Sequence, residues 1–115
     1  MIEIEKLDEF DKDVKRLSKK YRTLDEDIAV LGKVLTTNPH ANPTFSFRIE
    51  GLGIESCVIK VKKIASKSFK GKGVNSGFRL IYAYFEQEER IVYIELYHKN
   101  DKPLEDRERI KQYFR

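Results

Sequence analysis

Cysteine, histidine and tryptophan are nearly absent: the 115 residues include Cys57, His40 and His98, and no tryptophan. A single cysteine excludes an internal disulfide, and two histidines beside it leave no donor set for a structural zinc site. No apolar run approaches the roughly 18 residues that a membrane span needs. The opening MIEIEKLDEF alternates Ile with Glu and has no signal-peptide core. The chain is therefore expected to be cytoplasmic, with no membrane contact, metal or cofactor. No repeat, low-complexity stretch or long linker divides it, so residues 1–115 are expected to form one domain. The most informative absence is local. From Ser56 to Phe85 there is no Asp or Glu, although the chain has 19 acidic residues. This stretch carries Lys60, Lys62, Lys63, Lys67, Lys70, Lys72 and Arg79, a formal +7 within a chain of net +4. Such a concentration implies a negatively charged partner, with phosphates the first candidates.

What is present reads as a mixed α+β chain. Ile2 and Ile4 alternate with Glu3 and Glu5, as in a short strand with one buried face. Phe10, Val14, Leu17 and Tyr21 then make a helical stripe, with Asp8 or a neighbour as its cap. Thr23 and Glu26 have capping-box spacing at the start of a second helix, whose stripe is Leu24, Ile28, Leu31 and Leu35. Asn38-Pro39 ends it. The short link between the two predicts an antiparallel helical hairpin. After Pro43 the period changes to two. Phe45, Phe47 and Ile49 alternate with polar residues, Cys57, Ile59 and Val61 alternate with Lys60 and Lys62, and FRLIYAYF and IVYIELYH follow as strong strands. Asn100, Asp101 and Pro103 mark the approach to a last helix, with Leu104, Ile110 and Phe114 to dock it. Its charge-rich sequence, LEDRERIKQYFR, predicts loose docking. The predicted order is β-α-α-β-β-β-β-α: an N-terminal strand, a helical hairpin, a four-strand antiparallel meander and a C-terminal helix. The helices cover one sheet face, and Lys60, Lys62 and Arg79 stand on the uncovered one.

This order, with CVIKVKK, a basic glycine loop, SGFRLIYAYF and IELYHK before the terminal helix, resembles the RelE/ParE superfamily of bacterial and archaeal toxins. The N-terminal FDKDVKRLSKKY helix fits as well. The resemblance covers nearly the whole chain. It implies the toxin of a type II toxin-antitoxin system, held by a cognate antitoxin. In the RelE-like branch it implies a ribosome-dependent mRNA endoribonuclease, or mRNA interferase, with ribosome and mRNA as partners. In the ParE branch it implies a DNA gyrase inhibitor without nuclease chemistry. A non-catalytic ribosome- or RNA-binding homologue is the third reading.

For the nuclease, the resemblance places catalysis on the pair Lys60 and Lys62, on Arg79, and on the Tyr97–His98–Lys99 region, with Tyr113 as a C-terminal contributor. RelE itself has an arginine rather than a histidine in that region, which leaves the proton transfers open. Metal-free cleavage needs a base at the ribose 2′-OH, cations around the phosphorane and an acid at the leaving 5′-oxygen. Arg79 suits charge stabilisation, because its fork matches phosphate oxygens and it holds its proton. His98, with an ordinary pKa of about 6.5, or one of two mutually repelling lysines, suits the base. Lys63, Lys67, Lys70, Lys72 and Lys99 read as phosphate-backbone contacts. Each residue alone has a plainer explanation: strand lysines are ordinarily solvated or guard sheet edges, an arginine serves ion pairs, and tyrosines are good β-formers.

Overall fold

The computed structural model describes residues 1–115. The chain forms β1 (Glu3–Lys6), α1 (Asp8–Ser18), α2 (Leu24–Thr37), β2 (Ser46–Arg48), β3 (Cys57–Val61), β4 (Phe78–Phe85), β5 (Arg90–His98) and α3 (Arg107–Tyr113). This is the expected α+β order. The five strands make one sheet, ordered β1-β5-β4-β3-β2. β2 to β5 are the antiparallel meander, and β1 adds in parallel beside β5, with Glu3 opposite Arg90. No helix is long and apolar enough to cross a membrane.

The stripes read from periodicity are the buried ones. Phe10 and Leu17 of α1, and Leu24, Ile28, Leu31 and Leu35 of α2, enter one core with Ile59, Phe78, Leu80 and Tyr82 of the sheet. Asp8, Glu9 and Asp11 in the first turn of α1, and Lys15 and Arg16 in its last, match the helix dipole. Neither expected cap forms. Leu7 occupies the N-cap of α1, and its N–H donates to the Tyr93 carbonyl at 3.0 Å, so the strand pairing runs straight into the helix. Thr23 is the N-cap of α2, but its hydroxyl donates to Asp27 at 2.8 Å and also bonds Ser68. Glu26 pairs instead with Lys67 at 2.9 Å. The loop after β3 has recruited both halves of the capping box.

The second sheet face, expected to be open, is partly covered. Val58, Ile81, Ala83, Ile94 and Tyr97 pack there with Ile49, Leu52 and Ile110. The cover is α3, which begins later than the Asn100–Pro103 signals imply: Asp106 caps it by accepting from the Arg109 N–H at 3.0 Å. Leu104 stays exposed, while Ile110 is fully buried and Phe114 lies against Phe85 with centroids 5.9 Å apart. The expected loose docking is also corrected, because buried charges hold the segment. Arg109 donates to buried Asp13 at 2.8 Å and to the Ile94 carbonyl at 2.9 Å, and Asp13 accepts from the Leu96 N–H at 3.0 Å. Buried Glu95 pairs with Lys102 and accepts from the Asp106 N–H at 2.7 Å.

The β4–β5 register slips once. Ile81 faces Glu95 and Tyr82 faces Tyr93, so Ile94 is an extra residue in β5. The bulge puts Ile94 and Glu95 consecutively on the α3 side. Beyond it, Tyr97 stands opposite Arg79 and His98 opposite Phe78.

The Asp13 carboxylate should make Arg109 the most sensitive exposed-end contact of α3. Arg109→Ala is expected to cost about 3 kcal/mol in urea denaturation, by leaving buried Asp13 with only the longer, 3.4 Å pair to the exposed Arg16. Lys111→Ala, on the exposed side of the same helix, should stay within about 0.5 kcal/mol.

Candidate nucleic-acid interface

The antiparallel register sets the candidate residues. Lys60 lies opposite Ile81, and one pleat on, Lys62 reaches the level of Arg79. Arg79 donates from one guanidinium nitrogen to the Lys62 and Phe78 carbonyls, each at 3.2 Å. This fixes the base of the fork and leaves its other nitrogens free. Lys62 is exposed, with its ammonium 5.1 Å from the Phe47 ring centroid. Lys60 is different. It is largely buried and paired with Glu105 at 2.6 Å, and Glu105 also pairs with Arg107 at 2.9 Å. The expectation of two bare, mutually repelling lysines is therefore corrected: α3's approach delivers a carboxylate to one of them.

His98 is the larger correction. It is only 2 % exposed, and the bulge turns it to the helix-hairpin side, away from Lys60 and Arg79. Its ring stacks on Phe69 (5.2 Å) and Tyr21 (5.9 Å). Nδ1 accepts from the Asn100 N–H at 3.1 Å and Nε2 lies 2.9 Å from the Ser76 carbonyl, which assigns the neutral Nε2–H tautomer. Both ring nitrogens are engaged by backbone groups and the ring is enclosed. His98 supports the basic loop. Gly77, at φ +96°, fits against it, and a Cβ there would lie 2.6 Å from His98 Nε2. The other root of the loop is Asp27, which accepts from the Ser66 hydroxyl at 2.6 Å and the Lys67 N–H at 3.1 Å.

The remaining cations divide into held and free. Lys67 is paired with Glu26, and Lys63 donates to Asn75 at 2.9 Å. Lys70 and Lys72 are exposed at the glycine turns, and Lys99 is exposed beside Gly77. Tyr113 is not part of this group. Its hydroxyl donates to Glu9, and its neighbours Phe114 and Arg115 contact Phe85 and Ser56 at the other end of the sheet. Arg79 to Phe85 spans about 20 Å of strand.

Arg79, Lys62, Lys70, Lys72 and Lys99 thus offer ammonium and guanidinium donors without an acidic partner, suited to phosphate oxygens. Tyr97 forms the floor beside Arg79. Burial, with Glu105 and Glu95 nearby, pushes its hydroxyl up to about 12, so it stays protonated at neutral pH. Glu105 went unread in the sequence, because nothing local links it to Lys60. No three His, Cys, Asp or Glu side chains gather as a cation site.

No protein-family model matches the chain, and no curated protein matches it. Solved structures share the fold, two of them from Helicobacter pylori. One is a conserved hypothetical protein, HP0892, from Helicobacter pylori, at TM-score 0.59 and 22% identity, covering 88% of this chain and 98% of that one. The other is described as a metal-bound toxin from Helicobacter pylori, at TM-score 0.56 and 22% identity with the same coverages.

Two outcomes test this geometry. Burial alone would raise the Glu105 pKa, but Lys60, its backbone hydrogen bond and Arg107 outweigh it and hold the carboxyl below its ordinary value. A depressed carboxyl stabilises above its unfolded pKa of about 4.3, and that contribution is lost as pH falls through the folded value. As pH falls through the folded Glu105 value, the protection factor of the Ile110 amide, corrected for the intrinsic exchange rate at each pH, should therefore drop before those of α1 or α2. Separately, Gly77→Ala should cost about 2 kcal/mol or more in urea denaturation, from the positive φ and the clash with His98. A loss below about 0.5 kcal/mol would contradict the packed loop root.

Proposed function

We propose that the protein is the toxin of a toxin-antitoxin pair and acts as a ribosome-dependent mRNA endoribonuclease. The observation that carries this reading is the unpaired Arg79–Lys62 couple, flanked by Lys70, Lys72 and Lys99, at one end of the sheet. The fold shared with a protein described as a toxin supports it. In the proposed reaction the ribose 2′-oxygen attacks the adjacent phosphorus and the bond to the 5′-oxygen breaks, leaving a 2′,3′-cyclic phosphate and a 5′-hydroxyl. Arg79 neutralises charge on the phosphorane oxygens. Lys62 supplies a second cation to the phosphorane oxygens. Lys60 joins only if Glu105 withdraws, and His98 takes no part. Lys63, with the loop lysines, holds the RNA backbone. The antitoxin presents an acidic or amphipathic segment to the same patch.

A second reading has its own support. Lys60 is engaged by Glu105 and His98 is enclosed, which favours a ribosome- or RNA-binding protein without chemistry. Primer extension on a defined mRNA in a purified translation system separates the two. Cuts that need ribosomes and fall at least about 100-fold in Arg79→Ala are the expected result. Arrested translation on intact mRNA selects the binding reading. Intact mRNA with normal translation overturns both, and a DNA gyrase supercoiling assay then tests the ParE-like alternative.

A further inference from the structure

On the helix-hairpin side, remote from Arg79, a cavity of about 730 Å³ opens between α1, α2 and the β1–β5 edge. Its walls include Ile4, Val14, Ile28, Ala29 and Tyr93. Two of its lining residues carry buried hydroxyls with no hydrogen-bond partner, Tyr93 and Ser18. Tyr93 is 1% exposed. Folded proteins leave few such groups, since each costs about 1–3 kcal/mol unless something satisfies it. The third observation is Gly32, in the middle of α2, where glycine is about 1 kcal/mol worse than alanine. A Cβ at this position would lie 3.4 Å from both the Tyr93 hydroxyl and Ile4 Cδ1. Glycine here keeps clear the space in front of the Tyr93 hydroxyl.

The mouth carries Lys6, Lys15 and Lys33 against Asp11 and Asp25, all exposed and none in an ion pair. The structure assigns this cavity to a small organic anion: an apolar, ring-sized body, a polar group directed at the Tyr93 hydroxyl beside Gly32, and a carboxylate or similar charge at the lysine mouth. The volume suits a ligand of that size. This assignment is independent of any action on RNA and stands or falls separately.

The test is an NMR titration of the full chain, following backbone amides, with 4-hydroxyphenylacetate as the anion and tyramine as a cation carrying the same ring. The anion should give saturable shifts at Gly32 and the facing residues of α1, with a Kd of about 1 mM or tighter. Tyramine should bind at least tenfold more weakly. Gly32→Ala and Tyr93→Phe should each weaken the anion at least fivefold without lowering Tm, because one adds a good helix former and the other removes an unpaired hydroxyl. Absence of saturable shifts up to about 10 mM anion would mean that water alone occupies the cavity, and would overturn the assignment. Equal binding of tyramine, or undiminished binding in both variants, would overturn it as well.

Discussion

Three carboxylates buried beneath the C-terminal segment organise one whole side of this molecule. Asp13, Glu95 and Glu105 are each nearly inaccessible, and each meets a cation: Arg109, Lys102 and Lys60. A buried carboxylate without a partner is strongly unfavourable, so each cation is bound to its place once the core has formed. Asp13 belongs to α1, Glu95 to β5 and Glu105 to the approach to α3. Their pairing joins helix hairpin, sheet and terminal helix at once. Ile110 contributes about 1.5–3 kcal/mol by burial, but the charges set where it docks.

The same carboxylates divide the lysines. An acid-free stretch was legible from composition, and so was a cationic surface. Which lysines remain free was not, because that depends on residues far along the chain. Glu105 reaches Lys60 from beyond β5, and Glu26 reaches Lys67 from α2. Lys62 and Arg79 escape because no carboxylate reaches them: Glu105 is engaged by Lys60 and Arg107, and the end of α3 lies at Phe85.

The helices and the meander were legible because each has a clear period. Phe10, Val14 and Leu17 leave polar residues between them, and FRLIYAYF alternates strictly, with Phe78, Leu80 and Tyr82 in one core and Ile81 and Ala83 in the other. β5 offers no such contrast. In IVYIELYH both parities are apolar, so an inserted residue leaves no mark on the pattern. The bulge at Ile94 is nevertheless what sends Tyr97 towards Arg79 and His98 into the aromatic stack beneath the loop. The caps failed for a related reason. Thr23 and Glu26 have the right local spacing, yet a loop some 40 residues later competes for both.

The parallel pairing of β1 with β5 bears on how the chain folds. β1 pairs only with β5, so Ile4 takes its place in the sheet through a partner that lies beyond β2, β3 and β4 in the sequence. Loop closure over that separation is slow compared with forming the hairpins of the meander. The β1–β5 seam therefore joins the strands farthest apart in sequence, and its closure costs the most chain entropy of any pairing in the sheet.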